Sequence, residues 1–368
     1  MSHRAWAEID RGAVRHNLAR VRRRAGRARV MAVLKANAYG HGAIEMARLL
    51  VAEGVNALGV GDSGEALELR GAGIKAPILI VGGVIPGELP RVVRGDIEVN
   101  LHTTQTAHEL NAEAARQGRS VRVHLKIDTG MGRLGMQPFE AVPFLHSLRR
   151  LKNLRLVGLC THFSSPGEVN PAFTTRQLEH FKLAVEVAQR LGLGDLVLHA
   201  SSSLAFFSRK DACFNMVRAG IALWGHLPGL KGGHGLRPAL QLKTRIMFLK
   251  DVPEGTPIGY GRTCYTQAPA RIATLPIGYD DGYRTAMSNR AQVLVRGKRC
   301  PVVGRISMDY TTIDVSHVRG AGVGDEVALL GGKGAQAITL SEAATWAGCI
   351  PYEFLCGLGR RVVRVYSD

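Results

Sequence analysis

The first 220 residues alternate between short apolar runs and longer stretches with helical spacing. The apolar runs are rich in Val, Ile and Leu, as are strands that a parallel sheet buries on both faces. Eight such runs lie at 29–34, 55–60, 76–81, 97–101, 119–127, 154–160, 196–200 and 214–218. Amphipathic stretches such as GAIEMARLLVAEG and TQTAHELNAEAARQG separate them. Eight strand–helix units predict an α/β fold of the (β/α)8 TIM-type barrel class.

The stretch PAFTTRQLEHFKLAVEVAQRLG gives the clearest helix prediction. Apolar residues recur every three or four positions from Leu178 to Ala188, the spacing of one helix face. Asn170 and Pro171 precede this stretch. An asparagine cap followed by a proline in the first turn is typical of a helix start. We therefore expect a long amphipathic helix after the sixth strand of the barrel.

The alternation ends at GLKGGHG, residues 229–235, a glycine-rich turn or linker. Strand-like runs follow, from LQLKTRIMFL to RRVVRVY, with one short helix at 340–348. We therefore predict a barrel over 1–235 and a mostly-β C-terminal domain over 236–368, close to the usual domain size. The strand AWAEID precedes the first barrel unit, so the first ten residues are free to pair with the C-terminal domain instead.

Composition places the chain among globular proteins. It has 368 residues, of which 46% are hydrophobic and 21% charged. No apolar run approaches the roughly 18 residues that a membrane span needs. The first residues lack the apolar core of a secretory signal, so we expect a cytoplasmic protein that needs no membrane partner. The six cysteines show no CxxC spacing. We expect them to be reduced thiols and predict no metal site.

The formal net charge is +18, and 37 of the basic residues are arginine against 11 lysines. Six arginines lie between Arg20 and Arg29. Because no aromatic residues interleave with this run, we interpret it as a solvated helix end rather than as a nucleic-acid site. A basic surface would favour anionic small molecules.

The barrel prediction also predicts where chemistry lies, because active sites of this fold lie beyond the carboxyl ends of the strands. The polar and cationic residues at these positions are Lys35, Arg133, His162, Ser201, Ser202, Ser203 and Arg218. Serine hydroxyls and backbone N–H groups at a helix start suit a phosphate dianion. A nearby lysine can form a Schiff base with an aldehyde. Together these residues predict a site for pyridoxal 5'-phosphate.

Six motifs in this order resemble those of the alanine racemase family. They are AVLKANAYGHG, HLKIDTGMGRLG, GLCTHFSS, FNMVRAGIALWG, LPIGYDDGY and VGRISMDY, and PIGYGRTCYT lies between the fourth and the fifth. The resemblance extends over essentially the whole chain. It implies a barrel with a C-terminal β domain, pyridoxal phosphate as cofactor, and a homodimer whose active sites are shared between subunits. It also implies interconversion of L-alanine and D-alanine by a two-base mechanism, with D-alanine supplied for peptidoglycan.

The resemblance assigns roles residue by residue. Lys35 would bind the cofactor as a Schiff base and, once released, act as one catalytic base, and Tyr260 would be the other. Arg218 would face the pyridine nitrogen, and Arg133 the phenolic oxygen and the substrate carboxylate. The remaining assignments are Tyr39, Ser203, Gly220 and Ile221 for the phosphate, His162 and His199 around the ring, Met308 and Asp309 for the substrate, and Tyr279 at the entrance. Lys126 matches a lysine that is carbamylated in some members.

Three positions depart from the family pattern. Ser307 replaces a frequent cysteine, Ser202 a frequent asparagine, and Arg360 a tyrosine on the phosphate side of the site. The main alternative function is a broad-spectrum racemase, or a serine or lysine racemase, of the same fold. A non-catalytic pyridoxal phosphate carrier is more distant, since it would not need the domain that carries Tyr260.

Overall fold

The computed structural model describes residues 3–168, 170–230, 232 and 234–368. The chain forms two compact units. The barrel unit comprises residues 14–38 and 42–237. The β unit comprises the residues up to Ala13, residues 39–41 and all residues from Pro238 onward. The main boundary between the two units therefore lies between residues 237 and 238. The boundary predicted from the sequence lies between residues 235 and 236.

Strand β1 (Ala5–Asp10) belongs to the β unit, and the next eight strands form the barrel. These are β2 (Arg29–Val33), β3 (Ala57–Val60), β4 (Ile78–Ile80), β5 (Glu98–Leu101), β6 (Val121–Lys126), β7 (Leu154–Cys160), β8 (Val197–His199) and β9 (Met216–Ala219). They are parallel and run in the order β8-β7-β6-β5-β4-β3-β2-β9. The Arg218 N–H donates to the Ser201 carbonyl at 3.0 Å and links β9 to the end of β8. The predicted fold class is confirmed.

Helices cover the barrel strands. They are α1 (Arg11–Ala25), α2 (Ala43–Ala52), α3 (Ser63–Gly71), α4 (Leu89–Arg94), α5 (Thr104–Arg116), α6 (Pro138–Ser147), α7 (Ala172–Arg190) and α8 (Ser203–Ser208). Helix α7 buries the face that runs from Leu178 to Ala188, as the sequence predicts. It begins one residue later than expected, at Ala172, and the Asn170 Oδ1 accepts the Ala172 N–H at 3.0 Å.

The arginine run at the end of α1 is largely exposed, as the sequence predicts, and some of its guanidinium groups also bind backbone carbonyls. Arg22 donates to the carbonyls of Glu53 and Gly54, just beyond the end of α2. Arg24 donates to two carbonyls in α8 at 2.8 and 2.7 Å, and Arg20 donates to the His234 carbonyl. These guanidinium groups satisfy carbonyls that helix ends and loops leave unpaired.

The β unit contains three sheets. Its further strands are β10 (Leu240–Arg245), β11 (Phe248–Val252), β12 (Pro257–Ile258), β13 (Cys264–Tyr265), β14 (Ala270–Leu275), β15 (Gln292–Val295), β16 (Lys298–Pro301), β17 (Thr311–Asp314), β18 (Glu326–Leu330) and β19 (Val363–Ser367). The largest sheet has the order β16-β15-β18-β10-β1-β19. Strand β1 lies antiparallel to β10 and parallel to β19. The N-terminal strand AWAEID thus pairs within the β unit.

Two helices interrupt the strands of the β unit, α9 (Leu340–Trp346) and α10 (Pro351–Cys356). The first is the helix that the sequence predicts, and Thr339 and Glu342 cap it reciprocally. The second is not predicted, because its six residues are too short for a periodic pattern. The predicted turn at 229–235 lies partly outside the described residues. No helix in the described part of the chain is long and apolar enough to cross a membrane.

Candidate active site

Lys35 opens a left-handed turn at the carboxyl end of β2. Residues 36–39 all have φ between 52° and 54°, which is the left-handed helical region. None of them is glycine, and this conformation costs about 1–2 kcal/mol for each L-residue. Conformations of this kind persist only where surrounding contacts enforce them, and they cluster at functional sites.

Two side chains hold the turn in place. The Glu65 carboxylate accepts the Ala36 N–H at 2.6 Å and the Gly61 N–H at 2.7 Å. The Asn37 Oδ1 accepts the Ala43 N–H at 2.7 Å, which ties the turn to the start of α2. Glu65 itself lies in the first turn of α3, whose N-cap is Asp62. The backbone of the lysine turn is therefore fixed from two sides.

Arg218 lies inside the barrel and is only 7% exposed. Its guanidinium group donates to the carbonyls of Thr161, His199 and Ala200 at 2.7–2.8 Å. It also contacts the Nδ1 atoms of His199 and His162 at 2.9 and 3.0 Å. Burial lowers the pKa of Arg218, yet a guanidinium stays protonated at any physiological pH. A permanent cation is thus held rigidly between the ends of β7, β8 and β9.

Ser203 joins the first turn of α8 to the loop after β9. Its Oγ accepts the N–H of Gly220 at 3.0 Å and that of Ala222 at 3.3 Å. Ser203 and Ile221 are both buried. The structure thus brings together Ser203, Gly220 and Ile221, the three residues that the resemblance assigns to the phosphate. In this arrangement the Gly220 N–H is already bonded to the serine hydroxyl.

Arg133 follows a loop that Asp128 shapes. The Asp128 Oδ1 accepts three consecutive N–H groups, those of Gly130, Met131 and Gly132, at 2.8–3.1 Å. Burial raises the pKa of Asp128, but these hydrogen bonds outweigh it and hold the pKa below its ordinary value. Asp128 is therefore charged and committed to the loop that precedes Arg133.

Four cations surround His162 and act on it electrostatically: Arg218, Lys126, Arg133 and Lys35. Burial and these charges hold the pKa of His162 well below its ordinary value, so the ring is neutral. Lys126 is 5% exposed, and burial lowers its pKa, as do the charges of Arg218 and Arg133. A concentration of positive charge this dense favours a bound anion.

Tyr39 ends the left-handed turn and belongs to the β unit. It is buried, and its ring centroid lies 6.3 Å from that of Tyr352 on α10. Burial raises the pKa of Tyr352 to about 12, so this phenol is a hydrogen-bond donor at neutral pH. Sequence reasoning assigned a role to Tyr39 and none to Tyr352, because nothing in the local pattern around Tyr352 points to Tyr39.

Tyr260 lies in the β unit, in a short turn that follows Gly259, and is 71% exposed. It lines an open cleft of about 660 Å³. Met308 and Asp309, which the sequence analysis assigned to the substrate, line the same cleft, as does Tyr279, which it placed at the entrance. So does Arg305, which the sequence analysis did not single out. The structure thus brings the second candidate base and the substrate-pocket candidates together within one unit.

Two loops form the wall of this cleft and lie in direct contact. Tyr279 and Asp280 donate their N–H groups to the carbonyls of Ser307 and Met308 at 3.0 and 3.2 Å. A Cβ at Gly278 would lie 2.3 Å from both of these carbonyl oxygens, so only glycine fits there. Arg361 donates to Asp309 at 2.6 Å and to both oxygens of Asp281 at 3.0 Å.

Arg361 is a site residue that sequence reasoning missed. It follows the departure at Arg360 directly, and only the fold shows that it bridges two loops of the cleft. Charge pairing with Asp281, Asp309 and Asp280 raises the pKa of Arg361. The Met308 carbonyl also accepts from this guanidinium at 3.4 Å. Met308 and Asp309 are therefore held by a cation that lies 52 residues away from Asp309 in the chain.

The residues at the barrel mouth fit pyridoxal phosphate. An aldehyde needs a primary amine, and Lys35 supplies one at the end of β2. The phenolic oxygen of the cofactor and the substrate carboxylate need positive surroundings, and Lys35, Lys126, Arg133 and Arg218 supply them around His162. To stay unprotonated, a pyridine nitrogen needs a hydrogen-bond donor beside it rather than a carboxylate. The buried guanidinium of Arg218 is such a donor. The chemistry of the donor set thus matches the predicted cofactor.

Comparison with known proteins agrees with this geometry. The family model for the N-terminal domain of alanine racemase matches residues 9–228, and that for the C-terminal domain matches residues 239–366. The alanine racemase of Syntrophobacter fumaroxidans is 43% identical over 371 residues, which cover 100% of this chain and 98% of that protein.

Solved structures show the same fold over the whole chain. The alanine racemase of Clostridium difficile 630 matches with a TM-score of 0.94 and 38% identity, covering 99% of this chain and 95% of that one. The alanine racemase of Bartonella henselae, solved with covalently bound pyridoxal phosphate, matches with a TM-score of 0.88 and 27% identity over 99% of both chains. The chain belongs to the alanine racemase family, whose members are pyridoxal phosphate-dependent racemases.

Proposed function

We propose that Lys35 and Tyr260 are the two bases with which the chain interconverts L-alanine and D-alanine. Pyridoxal phosphate, when bound, supplies the electron-withdrawing ring that acidifies the α-hydrogen of the amino acid. The observation that supports this proposal best is the cation-rich site at the mouth of the barrel, which combines an amine with a buried guanidinium. Lys35 removes or returns the α-proton on one face, and Tyr260 acts on the other.

Arg218 has an electronic role in this proposal. A carboxylate opposite the ring nitrogen would keep that nitrogen protonated and make the ring a stronger electron sink. A guanidinium has only donors and does not lose its charge, so it disfavours protonation of that nitrogen. Weaker delocalisation into the ring disfavours protonation away from the α-carbon. Arg218 thereby favours racemisation over transamination.

Two groups of residues are assigned to the phosphate in this proposal. Ser203, Gly220 and Ile221 contribute from the start of α8 and the loop after β9, and Tyr39 contributes its hydroxyl. The Ser203 Oγ now bonds the N–H of Gly220. A phosphate would therefore have to exchange this bond for its own contacts with both groups. His162 and Arg133 would contact the ring side of the cofactor.

The substrate carboxylate is assigned to Arg133 and to the backbone N–H of Met308, with Asp309 beside it. Arg361 and Gly278 hold the loop that carries Met308. Because the pocket must discriminate a methyl side chain from slightly larger ones, its selectivity is limited to about 10–200-fold for each added methylene. A racemisation assay over the proteinogenic amino acids tests this: alanine should turn over faster than serine and lysine. Equal rates would establish the broad-spectrum alternative.

The second part of the proposal concerns assembly and use. We propose that the active enzyme is a homodimer. Each of its active sites would contain Lys35 of one subunit and Tyr260 of the other. The 71% exposure of Tyr260 supports this, because a proton-transfer group works in a site from which water is excluded. The D-alanine formed would supply peptidoglycan synthesis.

Reduction with borohydride tests the cofactor lysine. Reduction of the loaded protein should fix the cofactor covalently on Lys35, and peptide mapping should find the adduct in AVLKANAYGHG. Lys126 provides the internal control, because it lies in the same site and burial lowers its pKa, which favours the reactive neutral amine. An adduct on Lys126 or elsewhere would contradict the assignment.

A further inference from the structure

We propose that Glu98 and His124 are positioning residues for Arg218, on which they act through His199. We call these four side chains the buried relay. They come from four different strands, β5, β6, β8 and β9. Glu98 is the first residue of β5 and therefore lies at the floor of the barrel, whereas Arg218 lies toward its mouth. The effect on the reaction rests on the proposed function of Arg218, but the relay itself does not.

The relay is a continuous line of contacts within hydrogen-bond distance. The Arg218 guanidinium lies 2.9 Å from the Nδ1 of His199, and the Nε2 of His199 lies 2.9 Å from the Nδ1 of His124. The Nε2 of His124 lies 3.2 Å from Oε2 of Glu98. Arg122, which is half-exposed at the floor, donates to Oε1 of Glu98 at 2.8 Å. All four members of the relay are at most 8% exposed.

The chemistry of Arg218 and Glu98, the two ends of the buried relay, fixes which ring nitrogen carries the hydrogen in each histidine between them. A guanidinium can only donate, so the Nδ1 of His199 must accept and its Nε2 must carry the hydrogen. His124 then accepts at Nδ1 and carries its hydrogen on Nε2, which donates to the carboxylate of Glu98. Each imidazole has a single tautomer that satisfies both neighbours. All hydrogen bonds in the relay therefore point from Arg218 toward Glu98.

The fold leaves space for the two histidine rings of the buried relay. A Cβ on Gly158 of β7 would lie 2.2 Å from the Nδ1 of His124, so the strand next to His124 needs glycine at this position. The pairing of β6 with β7 shifts its register between Val123 and His124. The rings of His124 and His199 meet edge to face, with centroids 5.0 Å apart. These contacts restrict the positions of both rings.

Charge also favours a single direction for the hydrogen bonds of the buried relay. Burial raises the pKa of Glu98, but hydrogen bonds from His124 and Arg122 outweigh it and hold the pKa below its ordinary value. Burial, the adjacent His124 and the charge of Arg218 hold the pKa of His199 well below its ordinary value. The relay thus has a cation at one end, an anion at the other and a neutral His199 between them.

Glu98→Gln should reverse the relay rather than merely weaken it. Because Arg122 donates to Oε1, the glutamine would present its oxygen to Arg122 and its NH2 to the Nε2 of His124. His124 would then carry its hydrogen on Nδ1 and donate to His199, whose hydrogen would move to Nδ1. The N–H of His199 would then face an N–H of the Arg218 guanidinium. Because both groups are donors, they repel each other and the guanidinium is displaced. A change at the barrel floor would thus reach the cofactor side.

Nitrogen-15 NMR of the histidine-labelled full chain tests the relay without the cofactor. In the wild type, both His124 and His199 should show a protonated Nε2 and an unprotonated Nδ1, with assignments made against His124→Gln. A hydrogen on Nδ1 of either ring overturns the proposal. In Glu98→Gln both tautomers should switch. This measurement on the wild type also decides the proposal if a variant does not fold.

Kinetics of the loaded enzyme give the second readout. Glu98→Gln should lower kcat for racemisation roughly tenfold, with little change in KM. This is the lower end of the loss seen when the hydrogen-bond partners of metal-ligating histidines are removed. The double variant Glu98→Gln with Arg122→Glu should recover most of this loss, since the carboxylate introduced at position 122 would accept the NH2 of the glutamine and return its oxygen to His124. Glu113→Gln, which removes a carboxylate paired with Arg116 on helix α5, is the control and should not change kcat.

The outcomes separate the two proposals. If the wild type does not racemise alanine but shows the expected tautomers, the proposed function fails and the relay stands. If Glu98→Gln matches Glu113→Gln in both NMR and kcat, the relay has no influence on Arg218 and the inference is wrong. A loss of kcat in Glu98→Gln that the second substitution does not rescue, with tautomers unchanged, would mean that Glu98 is only structural.

Discussion

Several arginines donate to backbone carbonyls inside this molecule. Arg70 donates to four carbonyl groups at the ends of loops, among them those of Ile74 and Gly95 at 2.7 and 3.1 Å. Arg22 and Arg24 do the same at helix ends, and Arg218 does so in the active site. The planar group with five donors suits this use better than an ammonium. The excess of arginine over lysine thus has a structural component that net charge alone does not reveal.

Replacing Arg218 tests its electronic role. Arg218→Glu should protonate the ring nitrogen of the bound cofactor, slow racemisation and increase transamination per racemisation event. The ratio of the two products in one assay is the proper measurement. Stability will also fall, since three backbone carbonyls lose their donor, but the ratio does not depend on the folded fraction.

Arg218→Lys provides the matched comparison. A lysine keeps the positive charge near the ring nitrogen but not the planar fork. Racemisation should slow, whereas the ratio of transamination to racemisation should stay near that of the wild type. A ratio in Arg218→Glu that equals that of Arg218→Lys would show that the charge opposite the ring does not control partitioning.

Acid should destabilise the folded chain in a defined range. Burial lowers the pKa of His226 to about 4, whereas an unfolded histidine has a pKa of about 6.5. Between these values the unfolded state binds more protons, so the free energy of unfolding falls as the pH falls from about 6.5 to 4. His226→Gln should flatten this part of the pH dependence in urea unfolding. His108→Gln, at an exposed position on α5, should leave it unchanged.

At the level of single residues, the sequence predicts candidates where a chemically suitable residue type stands at a strand end. Lys35, Arg133 and Arg218 follow from their positions after β2, β6 and in β9. Glu98 and His124 could not be found in this way, because their partners come from strands that are far apart in the sequence. The contact between His124 and Glu98 exists only after the barrel has brought β5 and β6 together.

At the scale of elements, the strands and the long helix follow from periodicity, and the lysine turn does not. KANAY contains alanine and asparagine, and alanine has the highest propensity for right-handed helix. The structure shows a left-handed turn instead, held by Glu65 and Asn37. Local propensity is overridden here by contacts from α3 and from the start of α2, which a local pattern does not contain.

Glycine substitutions should measure the strain in this turn. Ala36 has φ 54° and an exposed side chain, and its N–H remains available to Glu65 in a glycine variant. Ala36→Gly should therefore raise the free energy of unfolding, by up to about 1 kcal/mol. Ala112→Gly, at an exposed position in the right-handed helix α5, should lower it by roughly 0.5–1 kcal/mol. Chemical denaturation that gives the same sign for both would contradict the strain.

At the scale of the molecule, the sequence predicts both the barrel and a mostly-β domain, with a boundary two residues from the observed change of unit. It does not predict that residues 39–41 belong to the β unit. This assignment depends on contacts such as Gly40 with Leu355, where a Cβ on the glycine would lie 2.3 Å from the leucine carbonyl oxygen. Contacts over more than 300 residues of chain leave no trace in local hydrophobic patterns.

The shared-site hypothesis concerns the complete assembly. Lys35 belongs to the barrel unit and Tyr260 to the β unit, and Tyr260 lines a cleft that is open to solvent in the single chain. In a two-fold dimer with shared sites, a partner subunit would cover this cleft, and both sites would be equivalent. Lys35→Ala and Tyr260→Phe should each be inactive alone, since each removes one base from both sites.

Mixing the two inactive variants under conditions of subunit exchange should restore activity. Each mixed dimer holds one site with both substitutions and one site with neither. Random exchange at equal concentrations makes half of the dimers mixed, so about a quarter of wild-type sites should be recovered. Mass spectrometry of differently labelled subunits confirms that exchange has occurred, and each variant mixed with itself is the control. Complete exchange without recovered activity would show that both bases come from the same chain.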